Sequence, residues 1–114
     1  MRLLATDVAV GIAMLSASKA GTQWWARPAF SLPTVAWNEY RDLLAAHLAK
    51  DSDWLEVASA FQQFTDLNSY VAAQDASAGG VGSASFNPAT DSAFLDEALA
   101  KAQRGGETLV RLLR

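Results

Sequence analysis

The chain has no cysteine, a single histidine, three prolines and no long uninterrupted apolar run. Without cysteine there is no disulfide framework, no thiolate zinc site and no thiol nucleophile, although the compartment stays open. With one histidine, His47, the paired Glu-x-x-His units of helical dimetal sites are absent. A hydrolytic triad would also have little choice of base. Leu43, Leu44 and Leu48 around His47 place it at the edge of an apolar stripe, where a histidine hydrogen-bonded within the protein is expected. A basic footprint is missing as well. The net charge is −3, with five Lys/Arg against three Asp/Glu in residues 1–50 and four against nine in residues 51–114. That distribution argues against nucleic acid as a partner, whose binding needs a clustered basic footprint. The small group Arg104, Arg111 and Arg114 reads as cations suited to the negative end of a helix.

Two partial motifs fail on their missing members. Asp51-Ser52-Asp53 lacks the third acid, the turn glycine and the terminal glutamate of a calcium loop. Gly79-Gly80-Val81-Gly82 has no following Lys-Ser/Thr and no preceding strand, so it does not cradle phosphate. The carboxylate pairs Asp96/Glu97 and Glu39/Asp42 lie on polar helix faces and read as solubility rather than acid/base chemistry. No catalytic residue, metal or cofactor is expected, and the chain is not expected to be an enzyme. The longest apolar run, Val8 to Leu15, falls short of the roughly 20 residues of a membrane span. It is therefore assigned to a core helix. That helix starts without a capping residue, which fits a piece of a longer protein.

What is present is helical periodicity, with no stretch of strict alternation that would suggest a sheet. The pattern predicts an all-α fold: one domain over residues 1–114, a four-helix antiparallel bundle. Helix one, about 3–19, has Leu4, Val8, Ile12 and Leu15 on one face and small residues including Gly11 on the other, which suggests burial on more than one side. Helix two runs from an N-cap at Thr34 to about Lys50 with Trp37, Tyr40, Leu44 and Leu48 as its stripe. Helix three opens on a capping box of Asp53 and Glu56 and turns Trp54, Val57, Phe61, Phe64, Asn68 and Val71 towards helix two. A long Gly/Ser-rich connection follows Gln74, either mobile or crossing the bundle end to end. Helix four, about 89–113, carries a heptad seam of Leu95, Leu99, Ala102, Gly106, Leu109 and Leu113. The pair Gly105-Gly106 in mid-helix costs about 2 kcal/mol in propensity, so either a bulky side chain, with the tryptophans as the obvious candidates, packs on it, which is the favoured reading, or the helix breaks there into two pieces.

Residues 23–37, QWWARPAFSLPTVAW, hold three of the four tryptophans. They link helices one and two and read as an aromatic plug across the bundle end, with Trp37 on the buried stripe of helix two. Of Trp24 and Trp25, one is expected to point inward and the other outward to a partner. Asn68, on an apolar stripe between Phe64 and Val71, needs a buried partner and is expected to cap this link.

The run 32–68, with Leu32, Thr34, Trp37, Leu44, Trp54, Leu67 and Asn68, resembles uncharacterised bacterial helical domains, often actinobacterial, in which Leu-Ser/Pro-Thr-x-x-Trp opens one helix and the next ends in Leu-Asn. The resemblance covers about a third of the chain and implies a helical bundle beyond a membrane anchor or coiled segment. It carries no activity. The chain is accordingly expected to be a non-catalytic interaction or regulatory module, cytoplasmic on its own or part of a longer membrane-anchored protein. It would pair with a protein partner or with itself as a homodimer. The alternative is a small-molecule-binding bundle whose pocket is lined by Trp24, Trp25, Phe30 and Trp37, with Arg27 and Asn68 as polar contacts.

Overall fold

The computed structural model describes residues 2–21, 31–47, 51–77, 79, 86 and 90–113; for His47 and Asp51 it describes the backbone alone. The fold is all-helical: α1 is Arg2–Gly21, α2 Val35–His47, α3 Asp51–Ser77 and α4 Asp91–Leu112, with no strand among the described residues. At about 1.5 Å per residue the 27 residues of α3 are about 40 Å long, close to the 45 Å long axis of the molecule.

Three helices bury stripes of the same spacing. In α1 the buried positions are Leu4, Val8, Gly11, Leu15 and Ser18, and in α4 they include Asp91, Leu95, Ala98, Ala102, Gly105 and Leu109. In α3 they include Asp53, Val57, Ala60, Phe64, Leu67, Val71 and Asp75. Steps of four and three keep one face turned to its neighbours along about 30 Å of helix. The seam of α4 is therefore not the expected one. Ala98 and Gly105 take the places given to Leu99 and Gly106, and Leu113 is exposed, because small residues are what lets α3 lie close to α4.

The glycine pair does not break α4, which runs unbroken from Asp91 to Leu112. Among the described residues, no tryptophan is what meets it. A Cβ on Gly105 would lie 2.7 Å from the Cβ of Ala60 and 3.2 Å from the carbonyl oxygen of Glu56, so the space is taken by α3 itself. A Cβ on Gly106 would meet Val8 of α1 at 3.1 Å. Close helix packing offsets the propensity cost.

Aromatic rings fill the middle of the core. Trp37 of α2 stacks on Phe61 at 5.1 Å and lies 5.0 Å from the tilted ring of Trp54, and Phe61 meets Phe64 edge-to-face at 5.7 Å. The Phe64 ring ends on Gly11, which is buried in the stripe of α1 rather than on a second buried face. On α2, Ala36, Trp37 and Leu44 are buried, while Tyr40, expected on the stripe, is exposed. Thr34 acts as the N-cap by its carbonyl, which accepts the amide of Asn38 at 3.0 Å.

At one end of α3 and α4 the expected capping box is replaced by ties between helices. The helix begins two residues before Asp53, so Asp53 accepts from Arg111 Nη2 at 2.5 Å and Glu56 accepts from the Thr108 hydroxyl. Arg111 is held above its usual value by Asp53. At the other end α3 continues through Asp75, Ala76 and Ser77, past the expected stop at Gln74, and Gly79 then turns with φ of 113°. Gln74 Nε2 donates to Asp91 at 3.2 Å, so the last turns of α3 and the first turn of α4 lie side by side.

Asp91, fully buried in the first turn of α4, also accepts from the Tyr70 hydroxyl, and the Tyr70 ring stacks on Phe94 at 4.8 Å. Tyr70 is held above its ordinary value, first by its hydrogen bond to Asp91, then by burial and by the charge of Asp91. With the folded value raised, the stability this bond contributes is present below about pH 10, where free tyrosine titrates, and is lost as pH rises through the higher folded value. Unfolding midpoints measured from neutral to alkaline pH are expected to show that loss in the wild type and a smaller one in Tyr70→Phe.

Candidate functional site

Asn68 is the polar residue that best repays its position. Its Oδ1 accepts the Leu32 backbone N–H at 2.7 Å and its Nδ2 donates to the Leu32 carbonyl at 3.0 Å. One side-chain amide thus satisfies both backbone groups of a residue 36 positions away, as a neighbouring strand would. The side chain of Leu32 is buried, so the clamp sits where the chain enters α2. Asn68 was expected to cap the link from α1 to α2, and it holds that link at Leu32, two residues before Thr34. Trp24, Trp25, Arg27 and Phe30, the other candidate contacts, lie outside the described residues, as does the side chain of His47. Trp37 is stacked in the core at 6% exposure and contributes packing.

The concave surface that the described residues do form lies elsewhere, between α1 and α4. It is a groove of about 510 Å³ whose walls are Ala5, Val8, Ala9 and Ile12 from α1 and Gln103, Gly106, Glu107, Val110 and Arg111 from α4. Ala5, Ala9 and Gly106 make it concave, since larger side chains there would fill it. Its α1 wall is apolar throughout and its polar groups all come from the α4 rim. The signal was in the small-residue face of helix one and in Gly106, which had been read as packing positions.

Next to the groove, the outward surface of α1 is unusual for a helix facing water. Its exposed residues from 3 to 16 are Leu3, Thr6, Ala9, Val10, Ala13 and Ser16, and none is charged. Leu3 is 54% and Val10 45% exposed. Its charges are Arg2 at the start, the half-exposed Asp7 beside this arc, and Lys19 near the end, which pairs with Asp96 of α4 at 2.6 Å. By length and composition alone the helix is apolar enough to cross a membrane, its best 18-residue window having a mean hydropathy of 1.4 with 28% of it buried. The criterion of an uninterrupted run had missed this, because the single acid Asp7 and scattered hydroxyl residues interrupt the run without lowering its mean far.

Among the described residues, no group of three or more His, Cys, Asp or Glu side chains is placed to hold a metal ion. A second, smaller hollow of about 220 Å³ lies between Leu55, Glu56 and Ser59 of α3 and Lys101 and Arg104 of α4. Lys101 is already engaged, donating to Gln63 at 3.1 Å and pairing with Glu97 at 3.0 Å. No family model, no curated protein and no solved structure matches the chain.

Proposed function

We propose that the protein is a non-catalytic helical interaction module, an antiparallel four-helix bundle that pairs with a second copy of itself through the outward face of α1. The antiparallel arrangement is supported by where residues meet. Asp53 near the start of α3 pairs with Arg111 near the end of α4, and Tyr70 late in α3 meets Asp91 at the start of α4. In the same sense Lys19 late in α1 pairs with Asp96 early in α4, and Leu32 before α2 is held by Asn68 well along α3. Such an arrangement also agrees with the bacterial helical domains that residues 32–68 resemble.

The observation that carries the function is the uncharged, solvent-facing arc of α1. A charged partner would find nothing there to pair with, whereas a second uncharged arc of mostly small residues meets it without desolvating a charge and permits close approach. The 20 residues of α1 give a footprint of roughly 30 by 12 Å, less than the roughly 800 Å² per partner of a stable complex. The apolar α1 wall of the groove and Val110 of α4 are therefore included in the contact, with Glu107 and Arg111 left at its solvated rim, and the pairing is of the weak, concentration-dependent kind.

Light scattering over a wide concentration range is expected to show a monomer–dimer equilibrium. Val10→Glu, at an exposed position that leaves the core untouched, is expected to shift it to monomer by placing a charge at the centre of the contact. A wild type that stays monomeric at every concentration, or a dimer indifferent to Val10→Glu, overturns the reading.

A further inference from the structure

The four helices are not held to one another equally. Of the residues 35–46 in α2, Ala36, Trp37 and Leu44 are buried and the other nine are exposed, among them Val35 at 77%, Leu43 at 59% and Tyr40 at 43%. By contrast, α3 buries Val57, Ala60, Phe61, Phe64, Leu67 and Val71 in successive layers. Among the described residues the ion pairs between helices join α1 to α4 and α3 to α4, and none reaches α2. Among the described residues, what fastens α2 is local: the Asn68 amide on the Leu32 backbone ahead of the helix, and the Trp37 ring against Phe61 and Trp54.

We infer that α2 is a latch: it undocks as a unit while α1, α3 and α4 remain folded, and its opening bares the ring faces of Trp54 and Phe61. Local opening costs only the contacts that it breaks, and among the described residues those are one amide clamp and the side chains of Leu32, Ala36, Trp37 and Leu44 rather than the layered seams of the other helices. Closing restores two backbone hydrogen bonds at Leu32 and the indole stack together, so the motion has two states rather than a continuum. Whether the α1 face pairs two copies does not enter, because none of the latch residues lies on that face.

Hydrogen exchange on the full chain tests this. Backbone amides from Asn38 to Leu44 are expected to exchange about a hundredfold faster than those of Phe61–Leu67 and of Ala98–Leu109, through an opening that dilute urea hardly promotes, as befits a small exposed area. Asn68→Ala removes both clamp bonds and is expected to speed exchange in α2 by about a further tenfold with the other helices unchanged. Asn68→Asp keeps the acceptor for the Leu32 N–H, loses the donor and falls between. Exchange in α2 as slow as in α3 and α4 overturns the latch. So does an Asn68→Ala protein in which all helices accelerate equally. If that variant does not fold, the wild-type comparison decides alone.

Discussion

Gly105→Ala is expected to destabilise the protein by about 2 kcal/mol even though alanine is the better helix former by about 1 kcal/mol. The added methyl would lie 2.7 Å from the Cβ of Ala60 and 3.2 Å from the carbonyl oxygen of Glu56. Neither can swing away, because one is the first side-chain atom of a buried residue and the other is backbone inside α3. The two helices must separate, and every layer of their shared seam loosens with them. Gly106→Ala, one residue on, supplies the contrast. Among the described residues its methyl would meet Val8 Cγ1 at 3.1 Å and Ile12 Cδ1 at 3.9 Å, side-chain ends beside an open groove that can yield a few tenths of an ångström. That variant is expected to be neutral or slightly stabilised. Urea unfolding of both, with Ala60→Gly as a partial rescue of Gly105→Ala, checks the assignment; equal midpoints for the two alanine variants would remove it.

Gly11→Ala is the second large effect, also expected at about 2 kcal/mol net. Its methyl would fall 2.3 Å from Cζ and 2.6 Å from Cε2 of Phe64, inside the ring's own volume. Ring tips can move in general, but this ring is fully buried and packed edge-on to Phe61, which in turn stacks on Trp37. Displacing it disturbs a column that runs through three helices. Phe64→Leu costs stability by leaving a space, and in that background Gly11→Ala should be nearly free. The double-mutant cycle is then expected to give a coupling of about 2 kcal/mol, near the upper part of the range for residues in contact. Additive effects would mean that the ring does not sit on Gly11.

These two glycines also show where sequence reasoning reached and where it stopped. The helical class, the positions of Val8, Leu15, Phe61, Phe64 and Leu95 in the core, the N-cap at Thr34 and the need of Asn68 for a buried partner were all legible, because each follows from period or from the chemistry of one residue. That something packs on Gly105-Gly106 was legible too. What packs there was not, since the size of a neighbour is a property of another helix. The same reason explains Asp53 and Glu56: their spacing fits a local capping box, and the partners that won, Arg111 and Thr108, are more than fifty residues away. The α1 groove was missed because alanine and glycine carry no chemistry of their own and read as packing until the neighbour is known to be absent.

A repeat of four and three shared by α1, α3 and α4 has one further consequence. Moving one helix along another by seven residues brings leucines, valines and alanines back opposite residues of their own kind, so the apolar stripes alone leave several alignments close in energy. The size-matched and polar pairs break that degeneracy. Phe64 fits the notch at Gly11, Ala60 the one at Gly105, and the buried carboxylate of Asp91 takes its donors from α3 at Tyr70 and Gln74. They serve as keys cut at three depths along the molecule, and a sequence that kept every apolar position while losing them would keep its helices and forfeit a single register.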